Sequence, residues 1–272
     1  TAVFTNKAAK HGIPLISSNQ TGANTELIFD GASMIINGKG EICERLPFFE
    51  EEVRTFTYEE IFSRPQKVKK YDPVELIHKA IITGIRDYFY KTGIKEAVLG
   101  LSGGIDSAIV LCLAAEALGN NNVRALLMPS RYSSEHSVSD SVLLAKKLNI
   151  RYDIISIEKP FKAFEEELVP LFEGKPFDVT EENIQARIRA VLLMSVANKF
   201  GCILLNTSNK SEAAVGYGTM YGDMAGGISV IGDVYKTDIY RLADYINRNE
   251  EIIPENIITK LPSAELRPDQ FD

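Results

Sequence analysis

The sequence contains no tryptophan, only three histidines and only three cysteines. Cys43, Cys112 and Cys202 show no Cys-x-x-Cys spacing, and the histidines lie far from them along the chain. This pattern indicates neither a disulfide-stabilised secreted fold nor a zinc site. Cys112 falls on the apolar face of a predicted helix and Cys202 opens a predicted strand. We therefore expect buried structural thiols at both positions, and a structural role for Cys43 as well.

Long hydrophobic runs and an excess of basic residues are also missing. No apolar stretch approaches the roughly 20 residues that a membrane-spanning helix needs, and the polar start has no signal-peptide pattern. We therefore expect a cytoplasmic protein that does not associate with membranes. The 30 Lys and Arg residues against 37 Asp and Glu residues give a net charge of -7. That charge argues against a nucleic-acid-binding surface but allows small anionic ligands.

The 272 residues have an average globular composition, 45% apolar and 25% charged, which suffices for one large domain or two modest ones. Residues 1–55 predict a β-rich fragment, because short apolar runs such as Pro14–Ser17 are separated by glycines. Residues 56–72 lack clear periodicity, include the basic run Lys67–Lys70, and predict a linker. The main domain is predicted to occupy residues 73–272.

Predicted helices and strands alternate from Pro73 onwards. A helix that begins at Pro73, with apolar residues at three- and four-residue spacing, precedes a strand at Ala97–Leu101 and a helix at Ser107–Leu118. The later predicted strands are Val123–Met128, Tyr152–Ile157 and Cys202–Asn206. Between them lie a predicted helix at Ser134–Leu148 and then two predicted helices, at Phe161–Leu171 and Thr180–Phe200. This alternation predicts an α/β fold with a doubly wound parallel sheet, whose ligand lies beyond the carboxyl ends of the strands.

A glycine-containing loop, Ser102-Gly103-Gly104-Ile105-Asp106-Ser107, follows the first of these strands. Two glycines allow the backbone to approach a ligand closely, and the amides at the start of the next helix favour an anion. A tight turn without a ligand is the alternative. No Gly-Lys-Ser/Thr follows the glycines, so the loop is not a Walker A motif.

The loop resembles the pyrophosphate-binding loop of the ATP pyrophosphatase superfamily, whose members split ATP between its α and β phosphates. Later segments narrow the resemblance to glutamine-dependent NAD synthetases; in order they are Asn183–Arg189, Asn206–Glu212, Gly216–Gly227, Asp233–Thr237 and Pro262–Pro268. This resemblance implies an adenine nucleotide alpha hydrolase-like, Rossmann-like sheet. It also implies amidation of deamido-NAD by ammonia, with ATP as co-substrate, Mg²⁺ as cofactor, and a homodimer.

The same resemblance implies particular site residues. The ATP-binding set is Gly100, Leu101, Ser102, Gly103, Gly104, Ile105, Asp106, Ser107, Met128, Thr207 and Lys236. The deamido-NAD-binding set is Asn183, Arg187, Glu212 and Asp223. The magnesium ligands are Asp106 and Glu212, and the catalytic residues are Asp106, Glu212 and Lys236.

Taken one at a time, most of these residues have an ordinary structural alternative. Asp106 could cap a helix, and Glu212 could simply start one. Asn183 and Arg187 share one helix face, which could be solvated. Lys236 could be a surface lysine. The combination of segments in one order is what favours the site.

Residues 18–24 and 27–33 resemble the closing part of a nitrilase-like amidase domain, which in these synthetases releases ammonia from glutamine with a Glu, Lys and Cys triad. The resemblance places that triad before Thr1 and further substrate-binding residues after Asp272. We therefore expect no glutaminase activity from residues 1–272, and glutamate release on addition of glutamine would contradict this expectation. Other ligases or thiolases of the superfamily and a non-catalytic nucleotide-binding regulatory module are the alternative functions.

Overall fold

The computed structural model describes residues 1–62, 70–268 and 270. The chain forms two compact units, Thr1–Lys91 and Thr92–Asp272. Part of the predicted linker, positions 63–69 with most of the basic run, lies outside the described residues. The domain boundaries predicted from the sequence stay a prediction.

The first unit combines small antiparallel sheets with helices. Its elements are α1 (Ala2–His11), β1 (Leu15–Ser17), β2 (Thr21–Asn24), β3 (Leu27–Asp30), β4 (Met34–Ile36), β5 (Ile42–Arg45), α2 (Tyr58–Phe62) and α3 (Pro73–Thr92). Strands β1, β4 and β5 form one sheet, and β2 and β3 form a hairpin. The predicted strand at Pro14–Ser17 is confirmed by β1. Helix α1 was not predicted, although Gly12, with φ 64, ends it in the left-handed conformation typical of a helix terminus.

Helix α3 has the buried apolar face that its spacing predicts. Ile81, Ile85 and Phe89 are buried along it. On the same helix, the Asp87 carboxylate accepts a hydrogen bond of 2.6 Å from the Ala23 amide of strand β2. This bond joins the hairpin to the helix within the first unit.

The second unit is an α/β fold, as predicted. Its elements are β6 (Ala97–Gly100), α4 (Ile105–Leu118), a 3₁₀ turn (Asn120–Asn122), β7 (Val123–Leu127), α5 (Glu135–Lys147), β8 (Arg151–Ile154), α6 (Glu158–Phe172), α7 (Val179–Phe200), β9 (Ile203–Asn206), α8 (Lys210–Val215), β10 (Ile228–Ser229), α9 (Lys236–Ile246) and α10 (Glu255–Thr259). The five strands form one sheet in the order β10-β9-β6-β7-β8. Every neighbouring pair in it is parallel.

The strand order contains a topological switch point between β6 and β9. The chain moves from β6 to β7 to β8 in one direction and then returns to β9 on the other side of β6. Because parallel crossovers are right-handed, α4 and α5 cover one face of the sheet, and α6 and α7 cover the other. In such open sheets a crevice forms at the carboxyl ends of the strands where the direction reverses. The fold therefore predicts that a ligand site lies at the loops after Gly100 and Asn206.

The sheet and its helices enclose a continuous apolar core. Val98, Leu126, Phe161 and Ile188 come from two strands and two helices, and all are buried in one cluster. Close packing of this kind fixes the strand ends, so the loops that follow start from rigid positions.

The three cysteines are structural in placement. Cys112 is buried, as expected, and Cys43 is buried as well. Cys202 was also expected to be buried, but it is only partly buried just before β9. Burial raises the pKa of the Cys112 thiol to about 12. In the part of the chain that the structure describes, no helix is both long enough and apolar enough to cross a membrane.

Candidate nucleotide and pyridine-substrate site

A cavity opens at the switch point, beyond the carboxyl ends of β6, β7 and β9. The ends of these strands contribute Gly100, Met128 and Thr207 to its lining. The turn after β6 contributes Ser102, Gly104, Ile105, Asp106 and Ser107. Gly103 does not line the cavity, because it is turned towards α5. The other predicted ATP-binding residues, Leu101 and Lys236, line the cavity as well.

The turn between β6 and α4 is held by its own serines. The Ser102 amide donates to the Ser107 hydroxyl at 3.2 Å, and the Gly104 amide donates to the Ser102 hydroxyl at 3.2 Å. Gly103 adopts φ 81, a conformation that side-chain-bearing residues rarely take. Gly104 begins α4 without a side-chain cap. Within the described residues, the first amides of α4 at Ile105 and Asp106 have no backbone or side-chain partner, which makes them available to an anion.

Two carboxylates and one ammonium group meet beside this turn. The Lys236 ammonium donates to Asp106 Oδ2, and Asn209 Nδ2 donates to Asp106 Oδ1 at 3.0 Å. Glu212 lies on the other side of Asn209. The Asn209 amide donates to Glu212 Oε2 at 3.0 Å, and the Glu212 amide donates back to Asn209 Oδ1 at 3.0 Å. The catalytic residues inferred from the sequence, Asp106, Glu212 and Lys236, are thus brought together around one buried asparagine.

Asn209 itself was not singled out from the sequence. It is 1% exposed and caps α8 through the reciprocal bonds with Glu212. A cap residue followed three positions later by an acid is the spacing of a capping box, so a local signal was present. Its bond to Asp106, far away in sequence, could not be read from that signal.

The environment disfavours the charged form of Glu212. Burial raises the pKa of this carboxyl group, and repulsion from Asp106 raises it further, while the Asn209 amide and Lys236 offset part of the effect. Burial likewise raises the pKa of Asp223, which lines the same cavity. Titratable groups with disfavoured charge in a cleft are typical of functional sites.

Glu212→Gln is expected to stabilise the chain at neutral pH while removing one carboxylate of the candidate site. A raised carboxyl pKa means that the folded state resists ionisation, so its stability falls as pH rises through the folded pKa. Glutamine keeps an acceptor for the Asn209 amide without the charge. Single stabilising substitutions commonly add about 0.5–2 kcal/mol to the free energy of unfolding, and we expect a gain in this range.

Chemical denaturation of both chains between pH 4 and 8, without divalent ions or nucleotide, would measure this difference. The gain should be smallest at the acid end, where Glu212 is protonated in the native chain, and should grow as pH rises. A variant that is less stable at pH 7, or a gain that does not depend on pH, would contradict the prediction.

The described residues contain no cluster of three or more His, Cys, Asp or Glu side chains that could enclose a metal ion. The two carboxylates of Asp106 and Glu212 are the oxygen ligands available beside the turn. Magnesium commonly uses only one or two protein carboxylates, together with phosphate oxygens and waters.

The predicted deamido-NAD residues divide into two groups. Glu212 and Asp223 line the cavity, whereas Asn183 and Arg187 do not. Asn183 Oδ1 accepts a hydrogen bond of 2.7 Å from the Thr219 hydroxyl. The exposed Arg187 donates from Nε to the Met220 carbonyl at 3.3 Å. Their role in binding deamido-NAD stays a prediction.

A different face of α7 points into the cavity. Ala186, Arg189, Ala190 and Leu193 line it at helical spacing. Arg189 belongs to the motif Asn183–Arg189 but is not among the site residues predicted from the sequence. Its Nε donates to the Met128 carbonyl at 3.1 Å. Burial lowers the pKa of the Arg189 guanidinium to about 10, while attraction to Glu265 and Asp223 works in the opposite direction.

A segment near the end of the chain, residues 260–266 (the strap), also lines the cavity. Its Glu265 carboxylate sits at the start of α5. It accepts hydrogen bonds from the Ser137 hydroxyl at 2.6 Å, the Ser134 hydroxyl at 2.9 Å and the Ser134 amide at 3.2 Å. Lys260 donates to the Ser137 hydroxyl at 2.9 Å. Glu265 has φ 51, a strained value that these contacts offset.

Glu265→Gln is expected to loosen the strap. An anion at a helix start is stabilising, and loss of a charged cap costs about 0.5–2 kcal/mol. Hydrogen exchange should report faster exchange at the Ser134 and Ser137 amides and along the strap. Glu251→Gln is the matched control, since Glu251 is exposed and pairs with Lys147 at 3.0 Å on the surface. Equal exchange in both variants would show that the carboxylate does not hold the strap.

The fold and this cavity place the chain among the α/β proteins that have a parallel sheet with a crevice at its switch point, where ligands of such folds bind. The NAD synthase family model matches residues 77–272. The chain is 46% identical over 275 residues to a glutamine-dependent NAD(+) synthetase of Synechocystis, covering 100% of this chain and 49% of that protein. It therefore belongs to the NAD synthase family. The chain spans about half the length of the curated relatives it matches.

Solved structures agree with this assignment. The glutamine-dependent NAD+ synthetase of Acinetobacter baumannii in complex with ADP has a TM-score of 0.90 and 38% identity, covering 97% of this chain and 51% of that one. An NMN synthetase of Francisella tularensis has a TM-score of 0.66 and 30% identity, covering 75% of this chain and 80% of that one. Family membership and the Rossmann-like fold are confirmed.

Proposed function

We propose that the chain carries out the ATP-dependent amidation of deamido-NAD to NAD, and that ammonia in the whole protein derives from glutamine. The observation that carries this proposal is the convergence of Asp106, Glu212 and Lys236 beside the Ser102–Ser107 turn at the switch point. Family membership supports the same activity.

The proposed reaction has two steps. The nicotinate carboxylate of deamido-NAD attacks the α phosphate of ATP, and pyrophosphate leaves. Ammonia then attacks the carbonyl carbon of the adenylated carboxylate, AMP leaves with the electrons of the broken carbon–oxygen bond, and the nitrogen loses one proton to give the neutral amide. Neither step requires a covalent bond to the protein, so Ser102 and Ser107 serve as hydrogen-bonding groups of the turn and not as nucleophiles.

The protein's main task in both steps is to align charged groups and stabilise charge. The amides at the start of α4 would bind the pyrophosphate that leaves, and Lys236 would neutralise charge developing on it. The cavity would hold the adenylate away from bulk water until ammonia reaches it. Met128 and Thr207, at the ends of β7 and β9, would contact the rest of the ATP.

Magnesium fits the residues present. Burial raises the pKa of Glu212, and repulsion from Asp106 raises it further. A bound divalent cation removes repulsion between neighbouring carboxylates. We infer that these two residues would hold the ion, which when bound supplies charge neutralisation on phosphate oxygens. In thermal unfolding, Mg²⁺ with ATP should stabilise the chain more than it stabilises Glu212→Gln.

The activity is tested by mixing the chain with ATP, Mg²⁺, deamido-NAD and ammonium, and measuring NAD, AMP and pyrophosphate. All three products should appear in equal amounts, and omission of deamido-NAD should abolish AMP release. ATP binding without AMP release in any mixture would instead indicate a nucleotide-binding regulatory module. AMP release that depends on another acid would indicate a different ligase.

Nicotinate mononucleotide is the second candidate substrate. The fold similarity to an NMN synthetase at 30% identity motivates it. The same assay with the mononucleotide in place of deamido-NAD separates the two, since the better substrate should have the higher kcat/KM. Deamido-NAD is proposed because the whole chain matches synthetases that are named for NAD.

We further infer a cytoplasmic homodimer. Large apolar side chains are exposed on α7 and in the loop between α8 and β10, including Val191 at 64%, Met220 at 64% and Tyr221 at 81%. Asn183 and Arg187 contact this loop, so a second copy packed there would lie beside both predicted deamido-NAD residues. Sedimentation at micromolar concentration should give twice the monomer mass.

The β-rich residues 1–55 are proposed to be the closing fragment of a nitrilase-like glutaminase domain. The chain's coverage of about half of the curated relatives supports this proposal. The expectation that residues 1–272 release no glutamate from glutamine follows from it and is tested by the same assay with glutamine replacing ammonium.

A further inference from the structure

A new role for Arg189 follows from the charges around the cavity, and it rests on the proposed function. The reaction must bring a carboxylate against the phosphates of ATP, and both groups are anions. Within the described lining of the cavity, the basic side chains are Arg189, Lys236 and Lys260. Four acidic side chains line it too; they are Asp106, Glu212, Asp223 and Glu265. A second anionic ligand therefore needs a cation other than those that lie beside the phosphates of ATP.

Two of the three cations are attached to the phosphate side of the cavity. Lys236 donates to Asp106, at the start of α4. Lys260 donates at 2.9 Å to the Ser137 hydroxyl in the first turn of α5. The backbone of Ser137 lies against Gly103 of the turn. Both ammonium groups are thus placed where the triphosphate of ATP is expected.

Arg189 lies on the opposite side, on α7. Its Nε is fixed by the Met128 carbonyl at 3.1 Å. Its two terminal nitrogens form no hydrogen bond and no ion pair with any described residue. Glu265 and Asp223 attract the guanidinium, but neither is within ion-pair distance. A guanidinium held by one nitrogen presents the other two as a planar pair, which matches the two oxygens of a carboxylate.

We propose that Arg189 binds the carboxylate of the pyridine substrate and holds it opposite the α phosphate of ATP. The acid is then distinguished from its amide, because an amide offers one oxygen and no charge to the two terminal N–H groups. The same contact weakens when the carboxylate becomes an amide. Arg189 would therefore favour substrate over product as well as position the attacking oxygen.

Replacement of Arg189 should abolish the preference of the site for the acid, deamido-NAD, over the amide, NAD. Asp223 and Glu265 would remain near the empty position and would repel a carboxylate, while a neutral amide would be little affected. Loss of a charge-assisted pair is expected to weaken deamido-NAD binding by about 10- to 100-fold. NAD and ATP binding should change by less than about threefold, as for a residue outside their contacts.

The test is calorimetric titration of the unaltered chain and of Arg189→Gln with deamido-NAD, NAD and ATP separately. Lys199→Gln is the matched control, because Lys199 is an exposed cation in the last turn of the same helix. The inference holds if the unaltered chain and the control prefer deamido-NAD and Arg189→Gln loses that preference with ATP binding unchanged.

Several results would overturn the inference. If Arg189→Gln keeps the preference, the carboxylate is bound elsewhere. If its ATP affinity falls as far as its deamido-NAD affinity, the arginine belongs to the nucleotide phosphates. Equal affinity of the unaltered chain for NAD and deamido-NAD excludes the inference even if the variant does not fold. Binding of neither dinucleotide to the unaltered chain would overturn the proposed function as well.

Discussion

Gly103→Ala should nearly abolish pyrophosphate release and should also destabilise the chain. Gly103 has φ 81, and a Cβ built there would lie 2.4 Å from the Ser137 carbonyl oxygen and 2.8 Å from the Ser137 Cα. Both are backbone atoms of α5, so no flexible side chain can move to relieve the clash. The left-handed conformation adds about 1–2 kcal/mol for a residue with a side chain.

The expected loss in the free energy of unfolding is about 2–4 kcal/mol, as for an overpacked and strained position. The larger effect is on the reaction, because α4 and α5 must separate locally, which displaces the amides of the turn. A displacement near 1 Å can lower a rate by about 100-fold. Denaturant unfolding and the pyrophosphate assay would measure the two effects.

The adjacent glycine gives a matched control for the stability effect. Gly104 has φ -85, which suits any residue, and an added Cβ would meet only the Ser102 hydroxyl at 3.3 Å. Gly104→Ala should therefore cost less than about 1 kcal/mol in stability. If the two alanine variants were equally stable and equally active, the contact between the turn and α5 would have no part in forming the site.

The difference between Gly103 and Gly104 shows how much of this turn could be predicted from the sequence. The pair of glycines after a short apolar strand predicted a turn suited to phosphate, and the fold places that turn at the cavity. Nothing local distinguished Gly103 from Gly104, since the distinction arises from α5, more than thirty positions later. Local pattern identified the loop, and tertiary packing determined which glycine is required.

In helix α7, too, the sequence pattern identified the segment but not the side chains that face the cavity. Its motif, Asn183 to Arg189, was correctly placed on a helix. Asn183 and Arg187 were selected from it, but the face that lines the cavity carries Ala186 and Arg189 instead. Arginines two positions apart point to nearly opposite sides of a helix, and only packing against the sheet decides which side is inward. The helical phase of the small residues Ala186 and Ala190 was a signal that could have favoured Arg189.

The strap could not be predicted from the sequence, because its contacts join distant segments. Ser134 begins α5 and was placed within one residue of its structural start, yet the Glu265 carboxylate that completes this cap lies 131 positions later. The Pro262–Pro268 segment was recognised only through a family resemblance. A carboxylate that caps a helix from a distant segment leaves no periodic or spaced pattern in the sequence by which it could be recognised.

Lys236→Met is expected to lower kcat by about 100- to 1,000-fold, the usual cost of removing one charge-stabilising group from a transition state. Its ammonium is the cation that contacts Asp106, and it also attracts Glu212. Loss of Lys236 therefore leaves two neighbouring carboxylates uncompensated at the place where, in the proposed reaction, the leaving pyrophosphate would develop charge. The pyrophosphate assay at saturating ATP would measure the effect.

Lys210→Met is the matched control, because it makes the same substitution at a surface lysine that also pairs with an aspartate. Lys210 pairs at 2.5 Å with Asp233, whose side chain is 94% exposed, and such exposed pairs contribute about 0–1 kcal/mol. A double-mutant cycle with Asp106→Asn separates neutralisation of the carboxylate from a direct role on the phosphates. If Lys236 serves only Asp106, Lys236→Met should cost no further activity in the Asp106→Asn background. If Lys236 acts on the phosphates, as proposed, the double variant should be slower than Asp106→Asn alone, because the cation is missing in the transition state whether or not its resting partner is charged.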